Sequence, residues 1–186
     1  MESTSINNPH DGLIKDSLRS GAIIGVIGVA VMAISYVVDE SLLANWKILV
    51  VMLVMYIGLV IYLGIRYRNQ AGGFMSYGQA FLHGFVMLAT AGLIGVLFNG
   101  ILYSLIDPGL GQRLAEITIE KTSEMMRGFG ASENDIDQAI AKMEEDMPKQ
   151  FSFVGQLKGY LWGLIMYAII SLISALFVRK TAPEVL

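Results

Sequence analysis

Long charge-free runs constrain this chain more than any other feature. Ser20–Val38 (SGAIIGVIGVAVMAISYVV) is 19 residues without a formal charge. Ile48–Ile65 (ILVVMLVMYIGLVIYLGI) adds 18, entered through Trp46 and Lys47 and left at Arg66. No formal charge falls between Arg68 and Asp107, and Gly159–Val178 is a further run of 20, closed by Arg179 and Lys180. A helix rising 1.5 Å per residue needs roughly 20 apolar residues to cross the hydrocarbon of a bilayer. Lipid offers no partners to the backbone, so such runs must be helical. The pattern predicts an all-α integral membrane protein with four transmembrane helices, over 20–38, 46–65, 80–106 and 155–178. The first run is longer than a signal peptide's apolar core and lacks a small-x-small cleavage site, so it reads as a retained span.

Composition agrees. The chain is 54% hydrophobic and only 16% charged, whereas soluble domains carry about 25% charged residues. A net charge of −3 argues against a nucleic-acid partner. The lack of cysteine rules out disulfides, thiolate metal sites and a cysteine nucleophile.

The polar residues gather in 107–154, which holds 10 of the 16 acids and five bases, a local charge of −5. Leu110, Leu114 and Ile117 recur at helical spacing up to Arg127, where Gly128 and Gly130 stop the helix. Ser132 with Asp135 reads as the cap of a second helix. Ile136, Ile140, Met143 and Met147 form its apolar stripe, and Pro148 is expected to end it. An amphipathic, acidic helical hairpin is therefore expected between spans 3 and 4.

Basic residues near span ends set orientation. With the N-terminus inside, Lys15, Arg19, Arg66, Arg68, Arg179 and Lys180 all flank the inner side. This predicts an inner-membrane protein with cytoplasmic tails at 1–19 and 179–186 and the 107–154 hairpin outside. In the inner loop, Gly72-Gly73 permits a sharp turn. Ser76-x-x-Gln79 offers a cap, so the third helix is expected to start at Tyr77 and run about 45 Å to Ile106. Phe74, Tyr77 and Phe81 would lie in the interface.

Phe74-Met-Ser-Tyr-Gly-Gln-Ala-Phe81-x-x-Gly84, followed by Leu-Ile-Gly95 and Asn99, resembles the opening of the third span in a family of small bacterial four-span membrane proteins. That family is known only as a domain of unknown function. The resemblance runs from about Ile14 to Lys180, including the acidic segment before the last span. It implies the four-span architecture and assigns no activity, cofactor or catalytic residue.

Within the spans, Gly155, Gly159 and Gly163 form a GxxxGxxxG row, and Gly21, Gly25 and Gly28 form a comparable one. Small-residue rows let helix backbones approach closely, within one chain or between copies. His83 and Asn99 are the polar residues of the third span. His83 lies in the first two turns, where it either meets water and headgroups or serves a relay. Asn99 is deeper and needs a partner on another helix. No Asp, Glu or Arg lies at mid-depth, which disfavours ion-coupled transport. His10 falls in the N-terminal tail. Asp135, Asp137, Glu144, Glu145 and Asp146 lack a ligand-loop pattern and read as solvated, so no metal or cofactor is expected. No nucleophile-elbow, phosphate-loop or HExxH motif occurs, so no enzymatic activity is expected.

Met125, Met126, Met143 and Met147 suit either a seam inside the hairpin or an adaptable binding surface. The leading expectation is a non-enzymatic accessory or assembly subunit, in contact with membrane lipids and binding a protein partner or a second copy through Ile136, Ile140, Met143 and Met147. The alternative is a small transporter or channel-like oligomer moving a neutral or lipidic solute past His83, Asn99, Tyr103 and Tyr167.

Overall fold

The computed structural model describes residues 9–181; the outer parts of both expected tails lie outside them. The described residues fold as six α-helices: α1 (Pro9–Val38), α2 (Trp46–Gln70), α3 (Tyr77–Ile101), α4 (Leu110–Gly128), α5 (Glu133–Phe151) and α6 (Phe153–Val178). A short 3-10 helix, Glu40–Ala44, links α1 to α2, and one π-type turn, Leu102–Ile106, extends α3. Among the described residues the β-structure is a single antiparallel bridge, Met75 to Lys180.

Four helical stretches are long and apolar enough to cross a membrane: Asp11–Val38, Trp46–Gln70, Tyr77–Ile106 and Phe153–Val178. Their outward side chains support the same reading. Val26, Val54, Leu105 and Trp162, one on each stretch, are all well over half exposed. Apolar exposure on every helix would be unfavourable in water and costs nothing in lipid.

Helix boundaries follow local chemistry. α1 begins about a turn and a half before Lys15, so much of the expected 1–19 tail, His10 included, is helical. Pro9 suits the first helical position, where its missing N–H is not needed. Leu13 and Ser17, one turn apart, are buried, which continues the packed face of the span into its charged start. α3 starts at Tyr77 through reciprocal caps: the Ser76 N–H donates to Gln79 Oε1 at 2.9 Å, and the Gln79 N–H to Ser76 Oγ at 3.3 Å. The preceding turn uses Gly72 and Gly73, both at positive φ.

α4 ends at Gly128, and Gly130 (φ +79°) reverses the chain. Ser132 caps α5 by accepting the Asp135 N–H at 3.2 Å. α4 and α5 pack against each other. Pro148 does not end α5, which continues to Phe151. The proline costs the Glu144 carbonyl its helical partner, but Glu144 is exposed and water can replace the bond.

By internal contacts the chain divides into two compact units. The first takes in the chain up to Gly28, Val51–Ile94 and the chain from Gly163. Its apolar core has one cluster around Leu13, Met75, Ala80, Ala175 and Val178 and another around Ile24, Val60, Leu63, Met87 and Leu88. The second unit comprises Val29–Val50 and Gly95–Trp162, with Leu102, Leu110 and Leu114 at its centre.

Candidate functional site

The first unit holds a polar cluster inside its apolar packing. Helical spacing puts Asp16 and Ser20 one turn apart on α1, and α3 presents His83 to them. His83 has no exposed surface, and its Nε2 lies 2.9 Å from Asp16 Oδ2. An ionised carboxylate only accepts, so the proton between them belongs to Nε2. Ser20 Oγ donates to the same carboxylate at 3.3 Å, and Arg66 Nη2 stands 3.9 Å from its other oxygen. The Tyr67 ring stacks on the imidazole, with centroids 4.9 Å apart and planes at 17°.

His83 therefore meets neither water nor headgroups; it is buried and paired with a partly buried Asp16. The pair was hidden because Asp16 precedes the apolar run, in a segment read as a tail. The usable signal was spacing, since Leu13, Ser17 and Ser20 continue one helical face past the charged residues. His83 Nδ1 is buried without a hydrogen-bond partner. An acid–histidine pair resembles two members of a hydrolytic triad, but no nucleophile engages Nδ1 among the described residues.

Beside this pair an open cleft of about 250 Å³ is lined by Gly12, Lys15, Asp16, Arg19, Tyr67 and Gln70. Asp16 and Tyr67 thus face the cleft and touch His83 as well. Near the same helix ends, Arg68 Nη1 donates to the Val178 carbonyl at 2.8 Å, and Lys180 Nζ lies 5.8 Å from the centre of the Phe74 ring.

Asn99, in the second unit, donates through Nδ2 to Gln156 Oε1 at 3.0 Å, and Gln156 in turn donates to the Gln150 carbonyl at 2.9 Å. His83 and Asn99 thus have separate partners. Tyr103 packs edge-on against Phe151. Tyr167 fills the space beside Gly92, where a Cβ would come within 2.5 Å of its hydroxyl.

The glycine rows diverge. A Cβ on Gly21 would stand 2.5 Å from the Met87 carbonyl oxygen, and one on Gly25 2.9 Å from the Ile94 side chain, so α1 meets α3 through both. Gly28 is closed by the Tyr56 hydroxyl. On α6, Gly155 abuts Lys149 and Gln150 just before it in the chain. Gly163 meets Tyr167 on its own helix, and Gly159 meets nothing within 4 Å. Beyond Gly155, which meets the end of α5, the α6 row thus makes no close contact with another helix within the described chain. α6 instead inserts large side chains beside other helices' glycines: Val178 at Gly64, Tyr167 at Gly92 and Phe153 at Gly100. Glycines eight apart on α3, two i+4 steps, were the unread signal.

The second unit carries a surface ionic network. Arg113 donates through Nη2 to Glu40 Oε2 at 2.7 Å and to Asp107 Oδ2 at 2.6 Å, and Tyr36 donates to Asp107 at 3.1 Å. The Arg113 bonds hold the Asp107 carboxyl below its usual range, against a smaller opposing effect of desolvation. Glu40 and Asp107 in turn push Arg113 up. Asp39 is also held low, chiefly by the Ser41 N–H. On α5, Lys149 pairs with Glu145 and Asp146. Ile136 has no exposed surface, while Ile140, Met143 and Met147 are half-buried. At the turn, Phe129 is 84% exposed and Met125 55%.

No curated protein and no solved structure matches this chain. A family described as "Protein of unknown function (DUF4199)" matches residues 19–180. That span takes in every described helix except the start of α1, and the chain belongs to this family of unknown function.

Proposed function

We propose that this is a multi-pass protein of the bacterial inner membrane, with both termini cytoplasmic and 107–154 outside, serving as a non-enzymatic accessory or assembly subunit. Its contact with a protein partner runs through the α4–α5 hairpin, centred on the exposed tip. The observation carrying this reading is Phe129, 84% exposed beside Met125 on a segment rich in acids. Neighbouring apolar side chains left open together on an otherwise polar segment favour a covering surface. The hairpin's negative charge disfavours an anionic bilayer surface as the cover, which leaves a protein. Because Ile136 is already buried, the docking surface shifts from the α5 stripe towards the tip, with Ile140, Met143 and Met147 half-available at its side.

A photo-reactive amino acid at Phe129, activated in native membranes, should yield an adduct with a second polypeptide. Cysteines introduced at Ile140 and Met143 should give lower yields of the same product. Only lipid or intrachain adducts would overturn the reading.

A second reading, a small transporter or channel-like oligomer for a neutral or lipidic solute, draws support from the pairing of the buried His83 with Asp16. It ties the charged start of α1 to a histidine on α3, a helix without formal charge. The two readings part in a strain lacking the chain. If His83→Ala and Asn99→Ala restore the lost phenotype while deletion of residues 132–147 does not, the transport reading loses.

A further inference from the structure

The cleft beside Asp16 has a chemistry that partner binding through α4 and α5 does not use. Lys15 and Arg19 stand one helical turn apart on α1, and both line it. Both are exposed, and neither has an acidic partner among the described residues. Asp16, the one acid in the lining, is already occupied. It accepts from His83 and Ser20, and Arg66 stands beside its free oxygen. The carboxylate's charge is thereby offset by its own partners, leaving two cations in the lining without one among the described residues. Tyr67 and Gln70 add a phenol and an amide, both able to donate. Burial on the far side fixes this arrangement, since Tyr67 is held by stacking on the fully buried His83.

The geometry points to a binding site for an anionic phosphate ester, its oxygens taken by Lys15 and Arg19 and oriented by Tyr67 and Gln70. Charge-assisted bonds from a guanidinium and an ammonium are the strongest such a ligand can receive. A volume of about 250 Å³ accommodates a phosphate with a small polar substituent. The site lies at the charged end of an apolar helix, the depth at which lipid phosphates reside. A phospholipid headgroup and a free phosphate share the required chemistry.

The test uses the purified full-length chain, stripped of lipid in detergent and titrated with phosphatidylglycerol, with phosphate-free diacylglycerol, or with inorganic phosphate, binding being read by native mass spectrometry. Phosphatidylglycerol should bind and diacylglycerol should not. The double variant Lys15→Gln/Arg19→Gln should bind phosphatidylglycerol roughly tenfold more weakly. Gly12→Leu separates a site from mere surface charge. A Cβ there makes only ordinary contact with the Tyr67 hydroxyl, at 3.6 Å, so the chain should fold while the added side chain occupies the cleft. It should weaken binding as much as the double variant, with every charge retained, and Lys180→Gln outside the cleft should have no effect. Inorganic phosphate bound with the same variant dependence would assign the site to a free anion; phosphatidylglycerol binding alone would assign it to lipid. The proposal fails if Gly12→Leu binds like the unaltered chain, or if Lys180→Gln weakens binding as much as the double variant.

Discussion

Gly21 and Gly25 on α1 stand where α3 comes within a side chain's reach, whereas Gly159 on α6 faces nothing within 4 Å. Both rows have glycine at four-residue spacing in an apolar helix. Such spacing exposes a strip of backbone and so creates the capacity for close approach. Whether the capacity is used depends on what the neighbour presents. α3 brings its own main chain to Gly21, while α6 reaches its neighbours with Val178 and Tyr167. A small-residue row is one half of a contact, and only the facing surface decides its use.

The sharpest way to break this contrast is to fill Gly21. With Met87 O 2.5 Å from a Cβ there, even alanine forces the helices apart, and the obstacle is backbone, not a movable side chain. Gly21→Leu is expected to cost about 3 kcal/mol or more. In a detergent melt that corresponds to a fall in Tm of roughly 6–12 °C. A change under about 2 °C would remove α1–α3 contact as a source of stability.

The same unit allows a second, smaller test of what holds α1 to α3. Asp16 and His83 join these helices by a bond between a fully buried imidazole and a partly buried carboxylate. A double-mutant cycle with Asp16→Ala and His83→Ala should give a coupling of about 0.6–2 kcal/mol, the range of interhelical bonds in membranes. Asp16→Asn, which keeps a polar partner for Nε2, should lose less than Asp16→Ala. Additive single effects would mean that the glycine contact alone sets the approach.

Much of this architecture was legible in the sequence, and the failures have physical reasons. Runs without charge mark the apolar helices because lipid admits little else. The Ser76–Gln79 and Ser132–Asp135 caps were readable because a cap is local chemistry over three residues. Asp16 was not readable as a partner of His83, because 67 residues separate them and pairing over that distance is set by packing. Pro148 does not stop α5 as its residue type suggests, because the cost of a proline depends on whether the carbonyl it deprives can reach water. The cleft was also invisible, since its lining comes from α1 and the end of α2.

In the second unit, the Arg113 network offers a contrast to His83, which is fully buried. Arg113, Glu40 and Asp107 are all partly open to solvent, so water competes for every bond. Asp107 is held below its usual carboxyl range by Arg113, so its contribution to stability is present above the unfolded value of about 3.9. That contribution is lost as pH falls through the lower folded value. Arg113→Ala should therefore lower Tm slightly at neutral pH and flatten the acid limb of the Tm–pH curve, with the difference from the unaltered chain shrinking as pH drops towards 3. An equal difference at every pH would show that Arg113 acts through packing of its stem.

The smallest effect is expected at the other glycine row. Gly159→Leu adds an apolar side chain to an exposed position on a membrane-compatible helix, with no atom within 4 Å of its Cβ. The substitution raises helix propensity by up to about 1 kcal/mol and removes no contact within the chain. Tm should stay level or rise by about 2–4 °C, against the large fall at Gly21. Melts of the two variants in one detergent make the comparison direct. A fall at Gly159 comparable to that at Gly21 would mean that a surface outside this chain covers the α6 row. The two rows would then be used alike, one within the chain and one between chains, and would differ in their partners rather than in their packing.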